Sequence, residues 1–555
     1  MRRRTFLSAA AGVPLLAQAP PAGGPQVATF LSDVDDTDQP YALYVPPSYD
    51  AARKWPLVIS LHDAFSNHRL NLRRLFGVGN RALESDAQAT RYFPRLPDVP
   101  FLAACPWARG TLGYQGIPER DVYAVLAEMK SRFNVDEDRI YLTGLSMGGG
   151  GALWLGLTQP DRWAAIAPVC PLPPEDAALY SPNALHLPAH LFHGAADPLA
   201  PVAVSREWQK RLAENGARVE YIEYPNVRHN AWDFAYRNAS IFSWFSKFRR
   251  QRFPARVRFT SPRYRYSSAY WLQFDRLTPG VTASAEAAIG ARSAATVRTS
   301  NLDALTLRLP GHPLLPPKSP LSVTLDGTRL SLRPGAPASF TRSNNDWRPG
   351  AVRKAPNEKR AGAEGPIADA FAARHIYVYG TAGDPSSREL ARRREQAEHA
   401  ADWSRGLARL SLALRAVPDR ELTSDDFREA SLILFGTRET NTLLAKFDAS
   451  LPIALNPSAA DYSLTFVYPL NGRYVVVNSG LPFWLGSEQV KRRGLVFDAT
   501  RGEPPTFALV QTFADYLLFK GSLENIVAEG RFDTNWTLPR PQADKMRATG
   551  AVEIR

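Results

Sequence analysis

The chain has 555 residues, 45% hydrophobic and 22% charged, which excludes a single small module, a low-complexity fibre and a long disordered tail and predicts about three packed domains. A formal net charge of +13 raises nucleic acid or an anionic surface as partners. Three of those charges, Arg2, Arg3 and Arg4, lie in a segment that reads as removable, and the rest are spread along the chain, so no nucleic acid partner is expected.

The N-terminus reads MRRRTFLSAAAGVPLLAQAPPAGG: a basic start, a short apolar stretch over 6–16, then Ala17-Gln18-Ala19 ahead of Pro20. This is the pattern of an export signal covering residues 1–19. Arg3-Arg4-Thr5-Phe6-Leu7 resembles the twin-arginine type. Arg2 stands where Ser or Thr is usual and Ser8 where Lys is frequent, which leaves general secretion open. Either route predicts a periplasmic or secreted protein. The apolar stretch is shorter than the ~20 residues a bilayer span needs, and no later stretch approaches 18, so no stable membrane anchor is expected.

From 27 to about 253, apolar runs at 56–62, 101–108, 139–146, 162–170, 189–195 and 219–225 alternate with helical patterns at 119–133 and 205–216, the second closing on Gly216. Continuous Val, Ile and Leu runs suit strands buried on both faces of a mostly parallel sheet, so 20–253 reads as an α/β domain. Its two cysteines, Cys105 and Cys170, close strands about three strand spacings apart, near 14 Å. A disulfide needs Cα atoms within about 7 Å, so two buried free thiols are expected. Residues 254–347 turn to short alternating stretches broken by Gly, Pro and Asn-Asn, as in a small β-sandwich. Residues 348–364 are charged and read as an exposed linker. Strand and helix alternation returns over 365–555, with 386–415 as one long Arg-rich helix, giving a second, smaller α/β domain of unknown role.

The chemistry lies in the first domain. Gly144-Leu145-Ser146-Met147-Gly148 directly follows a strand and opens a helix, the context in which G-x-S-x-G makes a sharp turn that lifts the serine clear of the sheet. The Met147 N–H, at the helix N-terminus, would face a developing oxyanion. A serine hydroxyl needs a base, and the base an orienting acid. Asp197 and His229 each follow a strand's C-terminal end, where loops of open α/β sheets build sites. The chain order Ser, Asp, His is that of an α/β-hydrolase. His193 reads as structural. No metal cluster and no cofactor motif occur in the sequence.

On LHDAFSN at 61–67, GLSMGG at 144–149, HGAADPLAP at 193–201 and VRHNAW at 227–232, residues 27–250 resemble the α/β-hydrolase superfamily. Within it they are similar to bacterial exported esterases related to polyhydroxyalkanoate depolymerases and feruloyl esterases, and to prolyl-oligopeptidase-family hydrolases. The resemblance implies Ser146 as nucleophile, His229 as base and Asp197 as acid, with a second oxyanion N–H just after the first-helix strand, assigned to Ala64 or Phe65. Relatives carry His-Gly there, whereas this chain has His62-Asp63, and a carboxylate beside an oxyanion opposes catalysis unless it turns away into a hydrogen-bonded pair. Trp107, Arg109, Tyr114 and Trp232 are candidate substrate contacts. His68 and the run 71–74 read as a helix over the site with a solvated basic face. Three functions compete: a serine esterase acting on small-molecule or polymer-linked esters, a serine peptidase of prolyl-oligopeptidase type, and an inactive binding protein disabled near Asp63. The oligomeric state is not legible.

Overall fold

The computed structural model describes residues 23–555 except 292, 317, 318, 345, 356, 405–409 and 493–502. The export signal read over residues 1–19 lies outside the described residues.

The first domain is built on one eight-stranded sheet of β1 (Gly24–Leu31), β2 (Asp38–Val45), β3 (Trp55–Leu61), β4 (Leu102–Pro106), β5 (Val135–Leu145), β6 (Ala165–Val169), β7 (Ala189–Gly194) and β8 (Val219–Tyr224), in the order β1-β2-β4-β3-β5-β6-β7-β8. Strands β3 to β8 run parallel, and β1 and β2 close one edge by antiparallel pairing. The continuous apolar runs are explained by burial on both faces. Leu57, Ile59, Leu142 and Ile166 point into one apolar cluster, while Val58, Tyr141, Ala165 and Ala167 point into the other. Successive residues of a strand face opposite sides, so a strand covered on both sides is apolar at nearly every position, and the few buried polar residues, such as Ser60 and Thr143, are hydrogen-bonded. Of the helices α1 (His68–Leu75), α2 (Asp86–Ala89), α3 (Ile117–Arg132), α4 (Met147–Thr158), α5 (Val202–Glu214), α6 (Trp232–Ala235) and α7 (Ser240–Phe245), α3 and α4 cover the first face and α1 and α7 the second.

Cys105 and Cys170 are buried and free. Burial pushes the Cys170 thiol up to about 12 and raises Cys105 as well. The thiolate is the reactive form, so a disulfide-exchange reagent at pH 8 is expected to titrate no thiol in the native protein and two after denaturation; prompt native reaction would contradict this packing.

Residues 256–349 form a sandwich of two five-stranded sheets around Phe259, Trp271, Phe274, Leu305 and Phe340. Along its strand Ala283–Gly290 buried and half-buried residues alternate, the period of a strand with one covered face. The C-terminal unit holds a seven-stranded mixed sheet, in the order Arg415–Pro418, His375–Tyr379, Ser431–Phe435, Arg473–Gly480, Tyr462–Leu470, Tyr516–Lys520, Ile526–Gly530. Its first four strands are parallel and the others antiparallel.

Two expectations are corrected here. The segment 348–364 is not an exposed linker throughout, because Glu358, Lys359 and Glu364 are buried. Glu358 takes a two-pronged pair from Arg276 of the sandwich at 2.8 and 2.9 Å, and Lys359 pairs with Asp515 of the C-terminal unit at 2.5 Å. Its charges are spent on partners from two domains, which composition does not disclose. The helix expected over 386–415 ends at Ala401. Beyond it Leu410, Leu412 and Leu414 repeat with period two and pack against the C-terminal core, which suits extended chain rather than helix. Arg405 and Arg409 of that expected helix lie outside the described residues.

Candidate active site

The site forms where β5 turns into α4. Ser146, between them, has φ 53° and ψ −113°, a left-handed conformation that costs a side-chain-bearing residue about 1–3 kcal/mol and persists only where its surroundings enforce it. Here the Ser146 N–H donates to Val169 O at 2.8 Å. Glycine is demanded on both sides of the serine. A Cβ on Gly144 would lie 2.1 Å from Gly148 O, and one on Gly148 would lie 2.3 Å from Leu61 O. The elbow is therefore pressed directly against the end of β3.

Ser146 is buried, and its Oγ lies 2.9 Å from His229 Nε2; His229 Nδ1 lies 2.7 Å from Asp197 Oδ2. The Asp197 carboxylate accepts the Nδ1 proton, which leaves Nε2 with a lone pair aimed at the serine hydroxyl. Asp197 Oδ1 accepts the N–H groups of Leu199 and Ala200 at 2.9 and 3.0 Å. Burial pushes the Asp197 carboxyl up, but these two N–H groups and His229 outweigh it and hold the group below its ordinary range. It is thus ionised at neutral pH. His193 sits behind the acid with Nδ1 on Ser205 Oγ at 2.7 Å and Nε2 on Ala200 O at 3.0 Å, and burial depresses its basicity. It buttresses the Asp197 loop and does not reach the serine.

The loop after β3 lies over the elbow. Ala64 is half-buried, and Phe65 is 64% exposed with φ 62°. Met147 is the first residue of α4, where the N–H has no intrahelical acceptor. The Asp63 carboxylate turns away into a 2.7 Å ion pair with Arg74, which also holds Asp86 at 3.1 Å. Arg74 lies over the Trp232 ring at 5.2 Å, and Trp232 meets the His229 ring edge to face at 5.5 Å. This corrects the expected solvated basic face: the Arg74 side chain is 10% exposed, and Asn71 and Arg73 are fully buried.

The four candidate substrate contacts separate. Trp232 stays beside His229, buried at 7% exposure, and Trp107 is half-buried against His68. Arg109 and Tyr114 are corrected. Arg109 is fully buried in ion pairs with Asp35 and Asp121. The buried Tyr114 ring closes over Gly151 while its hydroxyl donates to His62 O at 3.0 Å. Neither side chain is open to a ligand. Exposed apolar side chains occur instead on three loops of the site: Phe65, Leu172, whose N–H donates to Ser146 O, and Leu199, two residues past Asp197. The sequence reading singles out neither Leu172 nor Leu199, and it places Arg74 only in a solvated basic face. An apolar residue in a loop carries no periodicity, and the Arg74 partners are set by folding.

Among the described residues, Cys170, His193 and Asp197 are the one group of such side chains close enough to hold a metal ion, with ligand atoms within 4.8 Å of one another. All three are already engaged, Cys170 through a thiol bond to His229 O at 3.4 Å, so the geometry suits packing around the acid.

A family described as Phospholipase/Carboxylesterase matches residues 123–242. Acyl-protein thioesterase 1 of Mycosarcoma maydis is 30% identical over 115 residues, covering 20% of this chain and 48% of its own length. The chain thus spans about half of that relative. Among solved structures, a thermostable esterase is 26% identical with a TM-score of 0.33, covering 41% of this chain and 63% of its own. A ferulic acid esterase is 17% identical with a TM-score of 0.33, covering 41% and 99%. With a serine at a strand-to-helix elbow and the acid and then the histidine following it along the chain, the first domain has the α/β-hydrolase arrangement, and within it residues 123–242 match the Phospholipase/Carboxylesterase family.

Proposed function

We propose that the mature chain is an exported serine hydrolase that cleaves carboxylic esters through an acyl-enzyme on Ser146. The observation that carries this reading is the continuous hydrogen-bonded series from Asp197 through His229 to Ser146 at the elbow. In the proposed reaction His229 Nε2 takes the hydroxyl proton as Ser146 Oγ bonds to the ester carbonyl carbon. Asp197 keeps the imidazole in that tautomer and offsets its charge. The N–H of Met147 and that of Ala64 or Phe65 receive the oxyanion. Collapse breaks the bond to the alcohol oxygen, which departs with the proton held by His229. Water then repeats the sequence on the acyl-enzyme, releasing the carboxylic acid and restoring Ser146.

The matched family's description favours esters, and Phe65, Leu172 and Leu199 favour an apolar acyl or aryl group, on a small molecule or a polymer. Export is read from residues 1–19 alone. A short p-nitrophenyl ester is expected to turn over at about 1–10³ s⁻¹, with a peptide p-nitroanilide at least ~10²-fold slower in kcat/KM. Faster cleavage of the anilide would replace this reading with a peptidase.

A further inference from the structure

We propose that the C-terminal domain is a working part of the hydrolase site: through Arg109 it holds in place the loop that positions the oxyanion donors. This rests on the Ser146 reading and gives the C-terminal domain a role in the same reaction.

On the catalytic side, the loop after β3 begins with His62. Its Nε2 lies 2.8 Å from Trp107 O and its Nδ1 2.7 Å from Asp63 O, either nitrogen donating according to the tautomer, and its own carbonyl accepts the Tyr114 hydroxyl at 3.0 Å. Thus residues 107–116 grip the residue from which Asp63, Ala64 and Phe65 hang. That gripping loop is itself strained, with two consecutive left-handed residues, Ala108 at φ 45° and Arg109 at φ 65°. Such conformations are costly for side-chain-bearing residues and persist only where their surroundings enforce them.

The enforcement comes largely from outside the loop. Arg109 Nε pairs with Asp121 at 2.6 Å, Nη2 donates to Ser32 Oγ at 2.5 Å, and Nη1 reaches both Asp35 at 2.7 Å and Ser411 O at 3.0 Å. Ser411 belongs to the extended stretch whose leucines pack into the C-terminal core. Asp35 binds that stretch a second time, accepting the Ala413 N–H at 3.0 Å. Burial raises Asp121 to about 6 despite Arg109, whereas for Asp35 the same push is outweighed by Arg109, Ala413 and Thr37. Asp35 is thus ionised, and the one carboxylate holds both Arg109 and the C-terminal stretch. The contact is continuous with packing, since Val34 and Ile117 of the first domain lie within the C-terminal apolar cluster and Leu112 of the loop packs against it.

Arg109 is a positioning residue on this view, touching no substrate. Loosening it shifts donors that act on the transition state, so kcat falls while KM holds, and small misplacements from remote changes reach about 10²-fold. The test uses the full mature chain with Arg109→Lys and, separately, Leu412→Ala, which leaves the hydrolase domain unaltered. Both are expected to lower kcat on a p-nitrophenyl ester about 10- to 100-fold, to change KM less than ~3-fold, and to speed amide exchange in 62–67 together with 410–414. Leu412→Ala keeps the test decisive should Arg109→Lys fail to fold, because a role for Arg109 confined to the first domain would not respond to it. Faster exchange at 410–414 with unchanged kcat and unchanged exchange at 62–67 would overturn the coupling. A wild type that hydrolyses no ester would instead overturn the Ser146 reading.

Discussion

Ser146→Ala is expected to lower kcat on an ester by about 10⁴- to 10⁶-fold with the fold and melting temperature intact, and His229→Ala by a similar factor. Members of a hydrogen-bonded triad act as one unit, so removing either abolishes nucleophilic attack, and the double variant is expected to be no worse than the singles. What remains comes from oxyanion binding and substrate positioning. Steady-state kinetics on a p-nitrophenyl ester, with circular dichroism as the control for folding, checks this. Additive losses in the double variant would mean that the two residues do not share a step.

The second large effect concerns Asp63. A carboxylate one residue before a proposed oxyanion donor is tolerable because Arg74 neutralises it at 2.7 Å. Arg74→Met removes that cation. At an effective dielectric near 20, two unit charges repel by about 4 kcal/mol at 4 Å and less in proportion to distance, so an uncompensated carboxylate beside the oxyanion costs on the order of 10-fold or more in rate. The variant is therefore expected to lose kcat by roughly that factor, and Asp63→Asn in the same background to restore most of it, while Asp63→Asn alone changes little. Arg74 also covers Trp232, so the unrestored remainder measures that packing. If Asp63→Asn gives no rescue, charge beside the oxyanion is not what Arg74 controls.

How much of this was readable in advance depends on whether the determining partner is near in sequence. The central strands announced themselves because burial on both faces forces unbroken runs of Val, Ile and Leu, as in PLVISLH. The elbow was readable because Gly144, Ser146 and Gly148 must be neighbours for a strand to turn sharply into a helix. Asp197 and His229 were readable from chain order and their positions just past strand ends. Arg109 misled because an arginine in a loop at the reactive sheet edge looks like a ligand contact, whereas Asp35 and Ser411 lie 74 and 302 residues away. Arg74, in a run of polar helix residues, looked solvated because Asp63 comes from the preceding loop and Trp232 from beyond the sheet. Lys359 and Glu364 failed for the same reason, since each is buried by a partner that only folding supplies. The long helix expected through 415 overlooked a change of period, where Leu410, Leu412 and Leu414 switch to alternation.

Labelling of the purified protein with a fluorophosphonate, followed by mapping of the modified peptide, for wild type, Ser146→Ala and His229→Ala, decides whether Ser146 is activated. One adduct per wild-type chain, on Ser146, and none on either variant is expected. A folded wild type that takes no label, or takes it on another residue, would contradict an activated Ser146.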